Sequence, residues 1–203
     1  MIKDRIDKII SSTKGELIHK KMAFDGGFIK VFEECYKLPD GRLINKESIS
    51  KNDGKDAAII ITRTIEDKYL IVFQNRINNI VSAEFPSGYI EPFEDVLTGA
   101  LREVEEETGY VSDSAKIIDS MIPNIGTESS KIYIVYVDNA VKKSSQKLDS
   151  DEYINYDLFS FDELKYLIDN QIIQSSGNKL AFYHLKDIIH EEEKRSHKYS
   201  FFN

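Results

Sequence analysis

Glu103, Glu106 and Glu107 crowd the stretch EVEEET, and this is where the chain departs furthest from ordinary helix chemistry. A helical pattern runs over residues 95–108 and stops at Gly109, a residue suited to the left-handed conformation that ends many helices. At ~100° per residue, Val96, Leu97, Ala100, Leu101 and Val104 share one apolar face. The three glutamates then fall within an arc of roughly 100° at the edge of that face. Like charges at these spacings cost ~0.2–0.5 kcal/mol per pair. Carboxylates in a last turn also face the negative end of the helix dipole, a further ~0.3–1 kcal/mol each when exposed. Arg102 is the only cation between Gly88 and Tyr110. A hard divalent cation would answer both penalties, because magnesium takes oxygen ligands and shares carboxylates with substrate phosphates. The competing reading is a solvated acidic face, the ordinary fate of a glutamate-rich helix.

The spacing around the helix decides between them. Gly88, Glu94, Arg102, Glu103, Val104, Glu106, Glu107, Gly109 and Tyr110 match G-x5-E-x7-R-E-U-x-E-E-x-G-U at every fixed position, U being apolar or aromatic. At background residue frequencies such a match arises by chance on the order of once in a million chains of this length. The stretch resembles the signature of the Nudix hydrolases. That resemblance implies a loop–helix–loop on a mixed-sheet α/β/α sandwich, binding magnesium or manganese and hydrolysing nucleoside diphosphates linked to another group. It implies that Glu103, Glu106 and Glu107 are metal-binding carboxylates and that the carbonyl of Ser87 joins the metal shell. Arg102 and Glu94 would brace the helix and the loop before it, and Gly88 would be the loop glycine.

A weaker likeness spans residues 28–190. YKLPDGRL, QNR, EFPSGYIE, PNIGTES and DSDEYINYDLFSFDEL are similar to the ADP-ribose pyrophosphatase branch. The branch implies an N-terminal hairpin that packs across a homodimer, Arg76 and Glu84 near the substrate, and a mobile-loop glutamate as general base, here Glu128. The loop departs from the branch pattern: Ile125 stands where a proline is usual, and Glu128 comes about two residues early. The resemblance implies a nucleoside diphosphate sugar as substrate, ADP-ribose first, and the departure leaves room for other nucleoside diphosphate sugars. Other nucleotides, such as dinucleoside polyphosphates or damaged triphosphates, stay open, as does a module that senses ADP-ribose without cleaving it.

These residues need a frame. Residues 28–36, the turn Pro39-Asp40-Gly41 and a second strand from Arg42 read as a hairpin, after a short amphipathic lead-in over the first 25 residues. The polar gap SKNDGKD marks the internal boundary, giving an extension (1–50) with the hairpin and a Nudix domain (51–203). Buried strands are expected at 57–62 and 69–73, further strands at 131–137 and 153–159, a loop over 74–92, and helices at 161–170 and 178–193. The tail RSHKYSFFN reads as loose. Strands, one helix, more strands and closing helices predict a mixed sheet covered by helices.

Composition narrows the partners. In 203 residues, 41% are hydrophobic and 31% charged, a globular balance that argues against disorder. The net charge of −8 disfavours nucleic acid and anionic membranes, so a phosphate-bearing ligand needs local cations or metal. Cys35 is the only cysteine, which excludes an internal disulfide and suits a cytoplasmic chain. No apolar run approaches a membrane span, and MIKDRIDKII has no signal-like core. His19, His184, His190 and His197 have no ligand spacing and read as surface or tail residues, and Glu191–Glu193 as a solvated helix end.

Overall fold

The structure is a computed structural model that describes residues 1–150 and 152–200, with side chains described as far as Arg195. Asp151 of the DSDEY segment, the His197 side chain and residues 201–203 lie outside the described residues. The chain forms two compact units: residues 1–55 with 124–130, and residues 56–123 with 131–203.

The first unit carries helix α1 (Ile2–Thr13) and a three-stranded antiparallel meander of β1 (Glu16–Asp25), β2 (Ile29–Lys37) and β3 (Leu43–Lys51). The expected hairpin is therefore only its second half, with Gly41 at φ +86° in the turn. The lead-in is a helix and a full strand, which pairs from Glu16 opposite Lys37 to Asp25 opposite Lys30. Every residue of β1 is exposed, so no buried apolar alternation marks it in the sequence. Glu34 is the buried residue of β2: Tyr36 and Ser48 donate hydrogen bonds to it at 2.6 and 2.7 Å, and Lys20 pairs with it at 2.7 Å.

The second unit is built on β4 (Ala57–Thr64), β5 (Tyr69–Arg76), β6 (Ile80–Glu84), β7 (Ser87–Tyr89), β8 (Tyr110–Val111), β9 (Ser114–Met121), β10 (Ile132–Lys142) and β11 (Ile154–Phe159). β10 runs parallel to β4, and the other pairings are antiparallel, so the sheet is mixed. Alternation along the central strands loads both faces. Ile59, Ile61, Ile71, Ile134 and Tyr136 pack with α3 (Phe161–Asp169) and α4 (Ser176–Ser200) through Leu164, Leu167, Phe182 and Leu185. Ala58, Ile60, Leu70, Val135 and Val137 pack on the other side with Ala100 and Val104 of α2 (Val96–Thr108). The result is the expected α/β/α sandwich.

Three expectations are corrected here. The segment read as a loop over 74–92 contains the end of β5 and the short strands β6 and β7, with Pro86 between them and Gly88 inside β7 giving a loop-like composition. The tail read as loose continues α4 through Ser200. Glu192 is not merely solvated: its carboxylate accepts from both terminal nitrogens of Arg63, at 2.8 and 3.2 Å, while Arg63 also grips Asp138. Among the described residues no helix is long and apolar enough to cross a membrane.

Candidate active site

Helix α2 is set in place by both ends. Asp95 accepts hydrogen bonds from the backbone N–H groups of Leu97 and Thr98, at 3.0 and 3.3 Å. Gly109 ends the helix in the left-handed conformation, φ +71°, with its N–H on the Glu105 carbonyl. Between them, the apolar stripe faces the sheet and turns Glu103 and Glu107 toward β7.

Arg102 organises this acidic edge. All five of its N–H groups are engaged: Nε and one terminal nitrogen on Glu94 (3.0 and 3.1 Å), that nitrogen also on the Tyr89 carbonyl (3.1 Å), and the other on Glu103 and Glu106 (2.8 Å each). Glu94 in turn accepts the Glu91 N–H at 3.0 Å, and the guanidinium holds its carboxyl below the usual range. Glu94 and Arg102 thus tie loop to helix, and Gly88 lets the Glu103 carboxylate pack directly on the β7 backbone.

Glu107 is the anomaly. It is 2% exposed, and among the described residues its carboxylate accepts a single hydrogen bond, from the Ser87 N–H at 3.1 Å. Burial pushes its carboxyl well above the usual carboxylate range, and Glu103, Glu152 and Glu84 push the same way. Burial likewise raises Glu103, against the pull of Arg102. A buried carboxylate with one neutral donor and three carboxylates around it is a site short of positive charge. The donor set is all hard oxygen, which fits a divalent cation of the magnesium kind. Among the described residues no three acidic, histidine or cysteine side chains converge in metal-holding geometry; Arg102 draws Glu103 and Glu106 to itself.

A NUDIX domain model matches residues 54–176. The chain belongs to the Nudix hydrolase family. Among its relatives, the methanol dehydrogenase activator of Bacillus methanolicus is 31% identical over 173 residues, covering 83% of this chain and 91% of the relative. The ADP-ribose pyrophosphatase of Bacillus subtilis (strain 168) is 25% identical over 180 residues, covering 87% and 95%. A crystal structure titled as an ADP compounds hydrolase superposes with TM-score 0.79 at 17% identity, over 88% of this chain and 96% of that one, a likeness of fold.

Outside the Nudix helix, Arg76 and Glu84 are joined to each other: Nε and a terminal nitrogen of Arg76 donate to the two Glu84 oxygens at 3.0 and 2.5 Å. Glu84 is 7% exposed, so the pair presents the arginine outward with its acidic partner beneath it. Glu128 belongs to the first unit. Its carboxylate pairs with Lys51 at 2.9 Å, and its loop is held by the Ile49 N–H on the Thr127 carbonyl at 2.7 Å. His184, read as a surface residue, is bonded to Asp119 at 2.7 Å.

Sequence reasoning missed Asn178. This residue is 3% exposed near the start of α4, accepts the Phe85 N–H at 2.7 Å and donates to Ser175 at 2.7 Å. It therefore fixes the backbone between Glu84 and Ser87. A single amide ninety-three positions from its partner leaves no local signal.

Proposed function

We propose that this Nudix hydrolase is a metal-dependent pyrophosphohydrolase that cleaves a nucleoside diphosphate linked to a sugar, ADP-ribose first, to AMP and ribose 5-phosphate. The observation that carries the reading is the buried, cation-short Glu107 beside Glu103 on the Nudix helix. The likeness to an ADP-ribose pyrophosphatase over 87% of this chain supports the substrate class.

Glu103, Glu106, Glu107 and the Ser87 carbonyl would hold magnesium or manganese. A cation there supplies charge neutralisation of the diphosphate and activation of water near neutral pH. The chain's own residues do the rest. Arg102 and Glu94 keep the carboxylates oriented, and the cover over Glu107 excludes bulk water and strengthens every charge interaction around it. Arg76 meets the negative charge of the substrate, with Glu84 setting its position. Glu128 takes the proton of the attacking water as the new P–O bond forms and the bridging oxygen leaves with the other phosphate. Residues 1–50 serve dimerisation and substrate binding, and residues 51–203 the chemistry. A homodimer predicts a mass near twice 23.4 kDa by light scattering; a clean monomer at micromolar concentration would remove that part of the reading.

Product release over a panel of nucleotide sugars, dinucleoside polyphosphates and triphosphates, with magnesium and with manganese, tests the proposal. ADP-ribose should lead the panel. Turnover confined to triphosphates would replace the substrate class. The 31% likeness to a methanol dehydrogenase activator favours a second reading, in which the domain acts by sensing the nucleotide. Saturable ADP-ribose binding without any product would select it.

A further inference from the structure

The last turn of α2 bears Glu106 and Glu107, and a helix ordinarily leaves its last carbonyls unpaired. Here one strap, residues 142–147, takes the carbonyls of Glu106, Glu107, Thr108 and Gly109. Gly109 carbonyl accepts from the N–H groups of Lys143 and Ser144, at 2.9 and 3.1 Å, and Glu106 carbonyl from that of Lys147 at 2.8 Å. The Lys142 ammonium donates to the Thr108 carbonyl at 2.5 Å. The side chain of Gln146 donates from Nε2 to the Glu107 carbonyl at 2.6 Å and to the Ile154 carbonyl at 3.0 Å. Gly109 has no room for a side chain because the Ser144 carbonyl lies where its Cβ would be.

We propose that Gln146 is a positioning residue for the Nudix carboxylates, acting through the backbone of Glu107. Its amide ties the helix end to the first residue of β11, and the chain just before β11 carries Glu152. The strap also has an electrostatic effect. Five N–H donors, one on a charged ammonium, meet the negative end of the helix dipole where two acidic side chains hang. Fraying of that turn would move Glu106 and Glu107 together, and displacements near 1 Å are enough to cost ~10²-fold in rate. Gln146 acts at one remove from the carboxylates, the level at which loss of a supporting contact typically costs ~10–100-fold in metal affinity or activity.

This inference rests on the metal-dependent reading of the site. The test uses full-length protein with Gln146→Met, which keeps the length and removes both donors, and Gln146→Glu, which puts charge against two carbonyls. Lys147→Ala serves as control, because it removes only the exposed ion pair with Glu105 and keeps the backbone donor. Magnesium titrations are read twice: by melting temperature without substrate and by the concentration giving half-maximal ADP-ribose turnover. Gln146→Met should shrink the magnesium-induced rise and move half-saturation upward by about tenfold, with KM for ADP-ribose unchanged and Gln146→Glu worse on both. Lys147→Ala should match the wild type. In the wild type, hydrogen exchange should show the Lys143, Ser144 and Lys147 amides protected, a reading that does not depend on any variant folding. The proposal is overturned by freely exchanging strap amides, by a wild-type magnesium response in Gln146→Met, or by a lowered melting temperature with that response unchanged. A wild type that ignores magnesium in both readouts overturns the metal reading itself and this inference with it.

Discussion

The carboxylate of Glu103 occupies the space that a side chain at Gly88 would need: a Cβ there would lie 2.0 Å from Glu103 Cδ and within 2.4 Å of both oxygens. The loop glycine of the Nudix motif is thus required by a close approach, not by an unusual φ. Gly88→Ala should displace Glu103 and lower kcat by about 10²-fold, the scale of a 1 Å misplacement, with little change in melting temperature. Steady-state kinetics beside a thermal melt would check it, and near-wild-type turnover would show that Glu103 can leave without cost.

Glu107 predicts a conflict between stability and catalysis. Its carboxyl is raised above the ordinary value of 4.5 by burial. The folded state therefore holds a proton that the unfolded state has released, and metal-free stability falls as pH rises from 4.5 through the raised value. Glu107→Gln should flatten that fall and raise the metal-free melting temperature at neutral pH, yet lower kcat by ~10³-fold or more. Millimolar magnesium should raise the wild-type melting temperature, and Glu106→Gln should narrow that rise. Parallel pH–stability curves for wild type and Glu107→Gln would contradict this account.

Glu128 should separate from the helix glutamates in kinetics. A general base contributes ~10²–10⁴-fold, and its loss spares metal affinity. Glu128→Gln should depress kcat, leave the magnesium concentration for half-activity unchanged, and recover partly at higher pH. Should it turn over like the wild type, Glu106 becomes the first candidate for the base and Glu152 the next.

In the first unit, the Lys20 ammonium, with Tyr36 and Ser48, holds the Glu34 carboxyl down at about 2. A carboxylate lowered on folding stabilises the protein above its ordinary value of 4.5, and that contribution drains away as pH falls toward 2. Glu34→Gln should cost ~1 kcal/mol at pH 7 by weakening the hydrogen bonds from half-buried Tyr36 and Ser48 and removing the ion pair with Lys20. It should also remove the acid-side slope. Urea melts from pH 7 to pH 3 would show the two curves converging; curves that stay parallel would locate the acid sensitivity elsewhere.

What the sequence determined by itself is local in cause. The span of α2, its Asp95 and Gly109 ends, the acidic edge beside the apolar stripe and the alternating central strands all arise from neighbours within a few turns or residues. The Nudix spacing was legible for the same reason: Glu94, Arg102 and the three glutamates sit on one loop and helix. Weak or two-faced patterns were not. β1 exposes both faces, and β6 and β7 are too short to outweigh Pro86 between them and Gly88 within β7. Tertiary structure alone decided which charges meet. It buried Glu107 behind Ser87, closed Arg76 on Glu84, placed Lys51 against Glu128, and brought Asn178 and Gln146 to backbone groups far along the chain. The physical reason is that burial and charge pairing depend on what lies opposite in space, and the sheet that sets those opposites is assembled from strands separated by as much as the span from β5 to β11.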